Sequence, residues 1–303
     1  MGITELADNR PLQGQTPTPV GILGEIGPLK TRLAVGDREV RAAQRLRYRI
    51  FTEEFGARIG ASEVDEDAHD AICDHLIVLD SRIAGADADR IVGTYRLLPQ
   101  HRLGAEDRFY SEATYEISPL VARHPGRHLL ELGRSCVLPD YRSKRTIELL
   151  WQGIWSYCRQ TGIDVMFGCA SFAGAAPQDH AMALAFLHHH ARADGAWAVP
   201  ARPDVRVDMN MMPAEAIDLK AAMAALPPLI KGYLRLGARF GDGAVIDQEF
   251  GSVDVLVVLP VEQISPRYLT YYGVDANRFA ARSPAGIVGG DGGHVDDVGV
   301  ARV

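Results

Sequence analysis

A strand that stops at a proline, turns through three basic residues and leaves as a long helix restricts how the rest of a chain can be laid out around it. The stretch Glu131–Leu150, ELGRSCVLPDYRSKRTIELL, does this. His128–Leu138 reads as a strand, and Pro139 ends it because proline has no N–H for the ladder. Ser143 takes the N-cap position of a helix that runs to Gln160, and Gly162 closes it. A second apolar strand, Val165–Ser171, follows. A strand–helix–strand core of this kind fits a layered α/β architecture. The turn itself suits an anion. The first N–H groups of a helix lack internal partners, and the helix dipole adds positive potential there. Arg142, Lys144 and Arg145 strengthen that potential, which makes a phosphate-bearing group the natural ligand; a solvated helix start is the alternative.

The remaining pattern narrows the architecture. Asp37 can cap a helix running to about Phe55, with Val40, Ala43, Leu46 and Ile50 at helical spacing. Residues 57–72 are polar and acidic and read as a loop, followed by apolar strands at His75–Asp80 and Ile91–Leu98. Residues 100–126 have no sustained period. His180–Ala193, Ala214–Ala225 and Leu229–Leu236 read as helices, Val253–Val261 as a nearly continuous apolar strand, and Pro266–Tyr272 as a short closing helix. Three strands in a row with no helix between them exclude a doubly wound sheet. The expected class is α/β in the layered, α+β sense: a central mixed sheet flanked by helices. One domain is expected over 28–273, between a Pro-, Gly- and Thr-rich tail at 1–27 and a Gly- and Asp-rich tail at 274–303, both read as mobile.

Composition removes several classes of function. A net charge of −7 argues against general nucleic-acid binding. No apolar run reaches the ~18 residues of a membrane span, and the N-terminus lacks a signal pattern, so a cytoplasmic protein is expected. Cys73, Cys136, Cys158 and Cys169 are irregularly spaced with no CxxC pair, as in a reduced compartment. His188, His189 and His190 cannot face one ion, because consecutive helical residues diverge by about 100°; no metal is expected.

VLPDYRSKRTIELL resembles the acyl-donor motif V-x-P-x-x-R-x-x-G-x-G/A of the GNAT superfamily. Val137, Pro139 and Arg142 match, whereas Arg145 and Ile147 stand where the family has the glycines that admit a coenzyme A pyrophosphate. LRYRIFTEEFG, DAHDAICDHLIV, VGTYRLLP and ELGRSCVLPDYR are similar to the ordered blocks of autoinducer-synthase-like acyltransferases. CDHLIV, PPLIKGYLRLGA and GDGAVIDQEFGSVDVLVVL bring the chain closest, within that group, to the ornithine N-acyltransferases. The resemblance implies a GNAT-like fold and transfer of a 3-hydroxyacyl chain from acyl carrier protein to the α-amine of L-ornithine, giving lyso-ornithine lipid. It implies no resident cofactor, since the phosphopantetheine arm of the acidic carrier protein is part of the donor substrate. Transfer to another amino acid or to a homoserine-lactone precursor, and a non-catalytic carrier- or membrane-binding member, are the rival readings.

The resemblance also assigns residues. Arg47 and Phe51 share a helix face and match a pair that lines the amine-acceptor site; a surface arginine beside a core phenylalanine is the alternative. Asp67 and Asp70 match a D-x-x-D pattern, and with Asp74 they are expected to meet the cationic substrate or to clamp Arg47 or Arg96, unless the loop is merely solvated. Arg96, in an apolar strand, needs an acidic partner or the substrate carboxylate if it is buried. Glu131 is the candidate general base, with an arginine-pairing role as its alternative. Glu131 and Arg134 point to opposite faces of a regular strand, and a bulge near Gly133 would change this. The donor side comprises Cys136, Val137, Arg142, Ser143, Lys144 and Arg145, with a backbone N–H near Cys136 or Val137 as oxyanion donor. Lys231, Arg235 and Arg239 recur every four residues, suiting a wet helix face or contact with carrier protein or the inner membrane surface.

Overall fold

A computed structural model describes residues 18–59 and 62–264. The described residues build one nine-stranded sheet in the order β1-β2-β3-β4-β5-β6-β9-β8-β7. In chain order the strands are β1 Ile22–Ile26, β2 Leu29–Leu33, β3 Asp74–Asp80, β4 Ile91–Pro99, β5 Leu129–Val137, β6 Val165–Ala173, β7 Arg206–Val207, β8 Arg239–Asp247 and β9 Ser252–Pro260. The helices are α1 Gly36–Phe55, α2 Ile117–Arg123, α3 Lys144–Thr161, α4 Ala181–His190, α5 Leu219–Ala225 and α6 Pro228–Leu236. The mixed, helix-flanked sheet is the expected architecture.

Alternation along β3 shows how the layers form. Leu76 and Val78 join the core that contains Leu149, Leu150, Ile154 and Tyr157 of α3. Ile77 and Leu79 face the other way, into the cluster with Ala43, Leu46 and Ile50 of α1. The strand period of two thus seats one helix on each face. Ser143 caps α3 by accepting from the Thr146 N–H at 3.3 Å, and Gly162 ends it in the left-handed conformation, as the sequence predicts.

Every neighbouring pair is antiparallel except β5 with β6, which α3 connects as a crossover. That parallel ladder is short, running only from Leu129–Val165 to Glu131–Phe167. Just beyond it Gly168 adopts φ +156°, and a Cβ there would lie 2.1 Å from the Leu132 carbonyl oxygen, so no larger residue fits.

The structure departs from the sequence reading at several elements. β1 falls inside the stretch read as a tail: Leu23 and Ile26 are buried, so the domain starts before residue 28. β8 went unread because RFGDGAVID interrupts its apolar residues with Gly and Asp. Gly237 ends α6, which leaves Arg239 on β8 rather than in helical register with Lys231 and Arg235. The expected helix at Pro266–Tyr272, the tail at 274–303 and most of the tail at 1–27 lie outside the described residues.

Candidate functional site

The site grows from an irregularity in β5. Thr94 and Arg96 of β4 lie two residues apart, but their partners Cys136 and Gly133 lie three apart, so β5 carries one extra residue. Arg134, inside this bulge, has φ 53°, an uncommon value for a residue with a side chain. The bulge undoes the strict alternation, and Glu131 and Arg134 line the same cleft. The cleft is partly open, with about 610 Å³ of empty space counted out into solvent, and lies on the α1 face of the sheet, walled by β4, β5, β6, the β8–β9 hairpin, Phe51 of α1 and Tyr110.

Glu131 is 4% exposed. Its Oε1 accepts from the Ser111 N–H at 2.7 Å and the Ser111 hydroxyl at 2.5 Å, and its Oε2 accepts from the Tyr110 N–H at 2.7 Å. Burial pushes its carboxyl up from the usual range, against the hydrogen bonds from Ser111 and Tyr110. The Arg134 guanidinium lies between the Tyr110 ring, 4.8 Å away, and the Phe250 ring, 4.7 Å away. It donates to Asp65 at 3.1 Å and to Asp67 at 3.3 Å. Arg96, 4% exposed, donates to Asp67 at 2.7 Å and lies 3.6 Å from Asp70. Burial opposes ionisation of Asp67, but the His69 hydrogen bond and the Arg96 and Arg134 charges outweigh it and hold its carboxyl well below the usual range. The expected ion pair of Arg96 with an acidic residue is present.

Other expected residues stand elsewhere. Arg47 is 0% exposed and does not reach the cleft. It donates to Asp65 at 2.6 Å and to both oxygens of Asp70, at 2.9 and 3.0 Å, and so braces the carboxylates from behind. Phe51 does line the cleft, edge-on to Phe250 at 5.4 Å. Asp74 points away: it accepts from Tyr157 at 2.8 Å and from Arg102 at 2.8 Å, because the start of β3 turns its side chain towards α3. Cys136 is buried in the α1 cluster, where burial raises its thiol well above the usual range. Val137 is fully buried, and Arg142 is occupied by the Val137 carbonyl at 3.0 Å and by Glu54 at 2.6 Å. Ser143, Lys144 and Arg145 remain exposed at the start of α3. The histidine triplet diverges: His188 lies 3.7 Å from Asp242, while His189 bonds the Met212 carbonyl at 3.0 Å.

Several residues that line the cleft or brace its wall escaped sequence reading. Asp65 holds both Arg47 and Arg134. Tyr110 and Ser111 come from the stretch without a period. His69, Cys169, Ser171, Asp247 and Asp254 complete the cleft. The residue types of Asp247 and Asp254, set on either side of a polar turn, gave no signal distinguishing them from solvated carboxylates.

The Acetyltransferase (GNAT) domain family matches residues 46–152, which span α1 to α3 and so include the bulge and the basic turn. The chain is 56% identical over 264 residues to the L-ornithine N(alpha)-acyltransferase of Rhizobium meliloti (strain 1021), covering 86% of this chain and 89% of that one. It is 54% identical over 262 residues to the L-ornithine N(alpha)-acyltransferase of Agrobacterium fabrum (strain C58 / ATCC 33970), covering 85% and 89% respectively. Among solved structures, FeeM, an N-acyl amino acid synthase from uncultured soil microbes, aligns with a TM-score of 0.44 at 12% identity, over 77% of this chain and 91% of that one. At this level of identity and coverage the curated relatives show the family: the chain is an acyltransferase of the L-ornithine N(alpha)-acyltransferase family.

Proposed function

We propose that the chain transfers a 3-hydroxyacyl group from acyl carrier protein to the α-amine of L-ornithine, giving lyso-ornithine lipid. The observation that carries this reading is the charge balance of the cleft. Glu131, Asp247 and Asp254 line it against the guanidiniums of Arg96 and Arg134, and in the layer that braces those arginines Asp65, Asp67 and Asp70 outnumber Arg47. Such an excess of carboxylate favours a cationic acceptor and disfavours a neutral one. The names of the relatives supply the acceptor's identity.

Glu131 serves as the base. Among the described residues its Oε2 accepts only the Tyr110 N–H and keeps a lone pair for the ammonium proton, directly or through water. The freed α-amine attacks the thioester carbon, and the tetrahedral oxyanion collapses as the C–S bond breaks. Glu131 releases the ammonium proton to solvent, and the second proton, lost from the nitrogen of the adduct, passes by way of Glu131 to the departing thiolate. The pairing of β5 with β4 is interrupted between the Gly133–Arg96 and Cys136–Thr94 pairs, so this scheme takes the backbone N–H at Arg134–Ser135, one to three residues before the expected position. That group stabilises the oxyanion in this scheme. On the donor side, β5 runs six residues from Glu131 to Val137, roughly 20 Å of strand, before the exposed Lys144 and Arg145. A donor phosphate on that turn needs a long arm to reach Glu131, as phosphopantetheine provides, and the basic turn suits an acidic carrier.

The test is to incubate purified protein with 3-hydroxyacyl carrier protein and a panel of amino acids and to follow acylated products by mass spectrometry. Product with ornithine, absent when acyl-coenzyme A replaces the carrier protein, is the expected result. Product with a different amine would discard the acceptor, and turnover with acyl-coenzyme A would discard the donor.

A further inference from the structure

Asp67 and Asp70, the carboxylates whose sequence pattern suggested a role with the cationic substrate, are committed to Arg96, Arg134 and Arg47. The acceptor's side-chain ammonium therefore needs another partner. We infer that Asp247, assisted by Asp254, receives the terminal ammonium of the acceptor and sets the enzyme's preference for a diamino acid; the inference rests on the acceptor reading above.

Sheet register places the two aspartates. Asp247 pairs with Ser252 and Val245 with Asp254, so Asp247 and Asp254 are diagonal neighbours on one face of the β8–β9 hairpin. Ser171 pairs with Asp254, Cys169 lies two residues from Ser171, and Phe167 pairs with Glu131. One face of the sheet thus carries a row of cleft residues from Glu131 through Cys169 and Ser171 to the aspartates. The proposed base stands at one end and the hairpin carboxylates at the other, with the cleft between, the arrangement required by a substrate with one amine to acylate and a second to leave intact. Asp247 accepts from the Phe250 N–H at 2.9 Å, which fixes its side chain, and among the described residues it makes no ion pair. Asp254 accepts from the Ser252 hydroxyl at 2.9 Å. Both aspartates are half-buried in the open cleft, and a ligand that covers them without supplying an ammonium leaves a carboxylate desolvated without a partner, so the contact discriminates against that ligand.

The experiment compares kcat/KM for ornithine and for norvaline, which lacks only the terminal amine, in wild type, Asp247→Asn and Asp254→Asn, with melting curves as the check on folding. Wild type is expected to favour ornithine. In Asp247→Asn the preference should fall by about 10- to 100-fold, chiefly through KM, with a smaller fall in Asp254→Asn. A second variant, Asp247→Glu, extends the carboxylate by one methylene and should shift preference towards 2,4-diaminobutyrate. An unchanged preference in folded Asp247→Asn, or an Asp247→Glu enzyme that still ranks ornithine first, overturns the inference. So does a wild type that acylates norvaline as well as ornithine, a result that leaves the acyltransferase reading intact. A wild type that acylates neither overturns the function proposed above and this inference with it.

Discussion

Arg134 combines a left-handed backbone angle, two aromatic faces and two carboxylates. Such a backbone conformation costs of order 1–3 kcal/mol and persists where its surroundings hold it in place. Here it turns the strand so that Glu131 shares a cleft with Arg134. If Glu131 is the base, Glu131→Gln should lower kcat by about 10²-fold or more and move the KM for ornithine little. The direction of its pKa adds a second readout. Burial, the largest influence, raises the carboxyl, so the base form fills at a higher pH than in a free glutamate. The acid limb of the wild-type pH–rate profile should therefore lie above about pH 4.3, and Glu131→Gln should lack that limb. An unchanged kcat in the variant would leave Glu131 only anchoring Tyr110 and Ser111. Arg96 was legible in the sequence because a charge in an apolar strand requires a partner, and Glu131 because it is the carboxylate of the ELGRSCVLPDYR block, in a reaction that needs a proton acceptor. Asp65 and Asp247 were not legible, since nothing in a sequence separates a carboxylate that a fold turns inward from one it leaves in water.

At the scale of elements, α1 and α3 do different work. α1 carries Arg47 into a fully enclosed site against Asp65 and Asp70, and its Nη1 has no hydrogen-bond partner among the described residues. Removing one member of such a set leaves uncompensated buried charge. Arg47→Met should destabilise the protein by about 3–5 kcal/mol, measured by urea denaturation; a loss of activity without a loss of stability would return Arg47 to substrate contact. α3 presents its N-terminus to solvent, with Lys144 only loosely paired, 3.7 Å from Glu148. Reversing charge in Lys144→Glu and Arg145→Glu should raise the KM for acyl carrier protein by about tenfold at low salt, and the difference should shrink as salt screens it. Strong local grammar made α3 readable: a stopping proline, a serine cap and a closing glycine. β8 lacks any such grammar and exists because β9 and β7 flank it; the paired strand decides, and sequence alone does not show the pairing.

Across the whole molecule, stability towards acid follows from the same carboxylates. Arg47 and Arg96, overcoming the burial that opposes ionisation, hold the Asp70 carboxyl below the usual range. A carboxyl depressed on folding contributes its full stability above the unfolded value, about pH 4, and loses it as pH falls through the folded value. The difference in Tm between wild type and Asp70→Asn should therefore be constant above about pH 5 and narrow as the solution is acidified below 4; a gap independent of pH would remove the charge from the account.

The brief parallel ladder between β5 and β6 has a further consequence. It divides the sheet into a leaf of five strands and a leaf of four, and three rungs are all the ladder that joins them. Glu131 and Arg134 belong to the first leaf, Asp247 and Asp254 to the second. An amino acid gripped from both sides would act as a cross-tie over the seam, so that filling the cleft also staples the two leaves of the enzyme together.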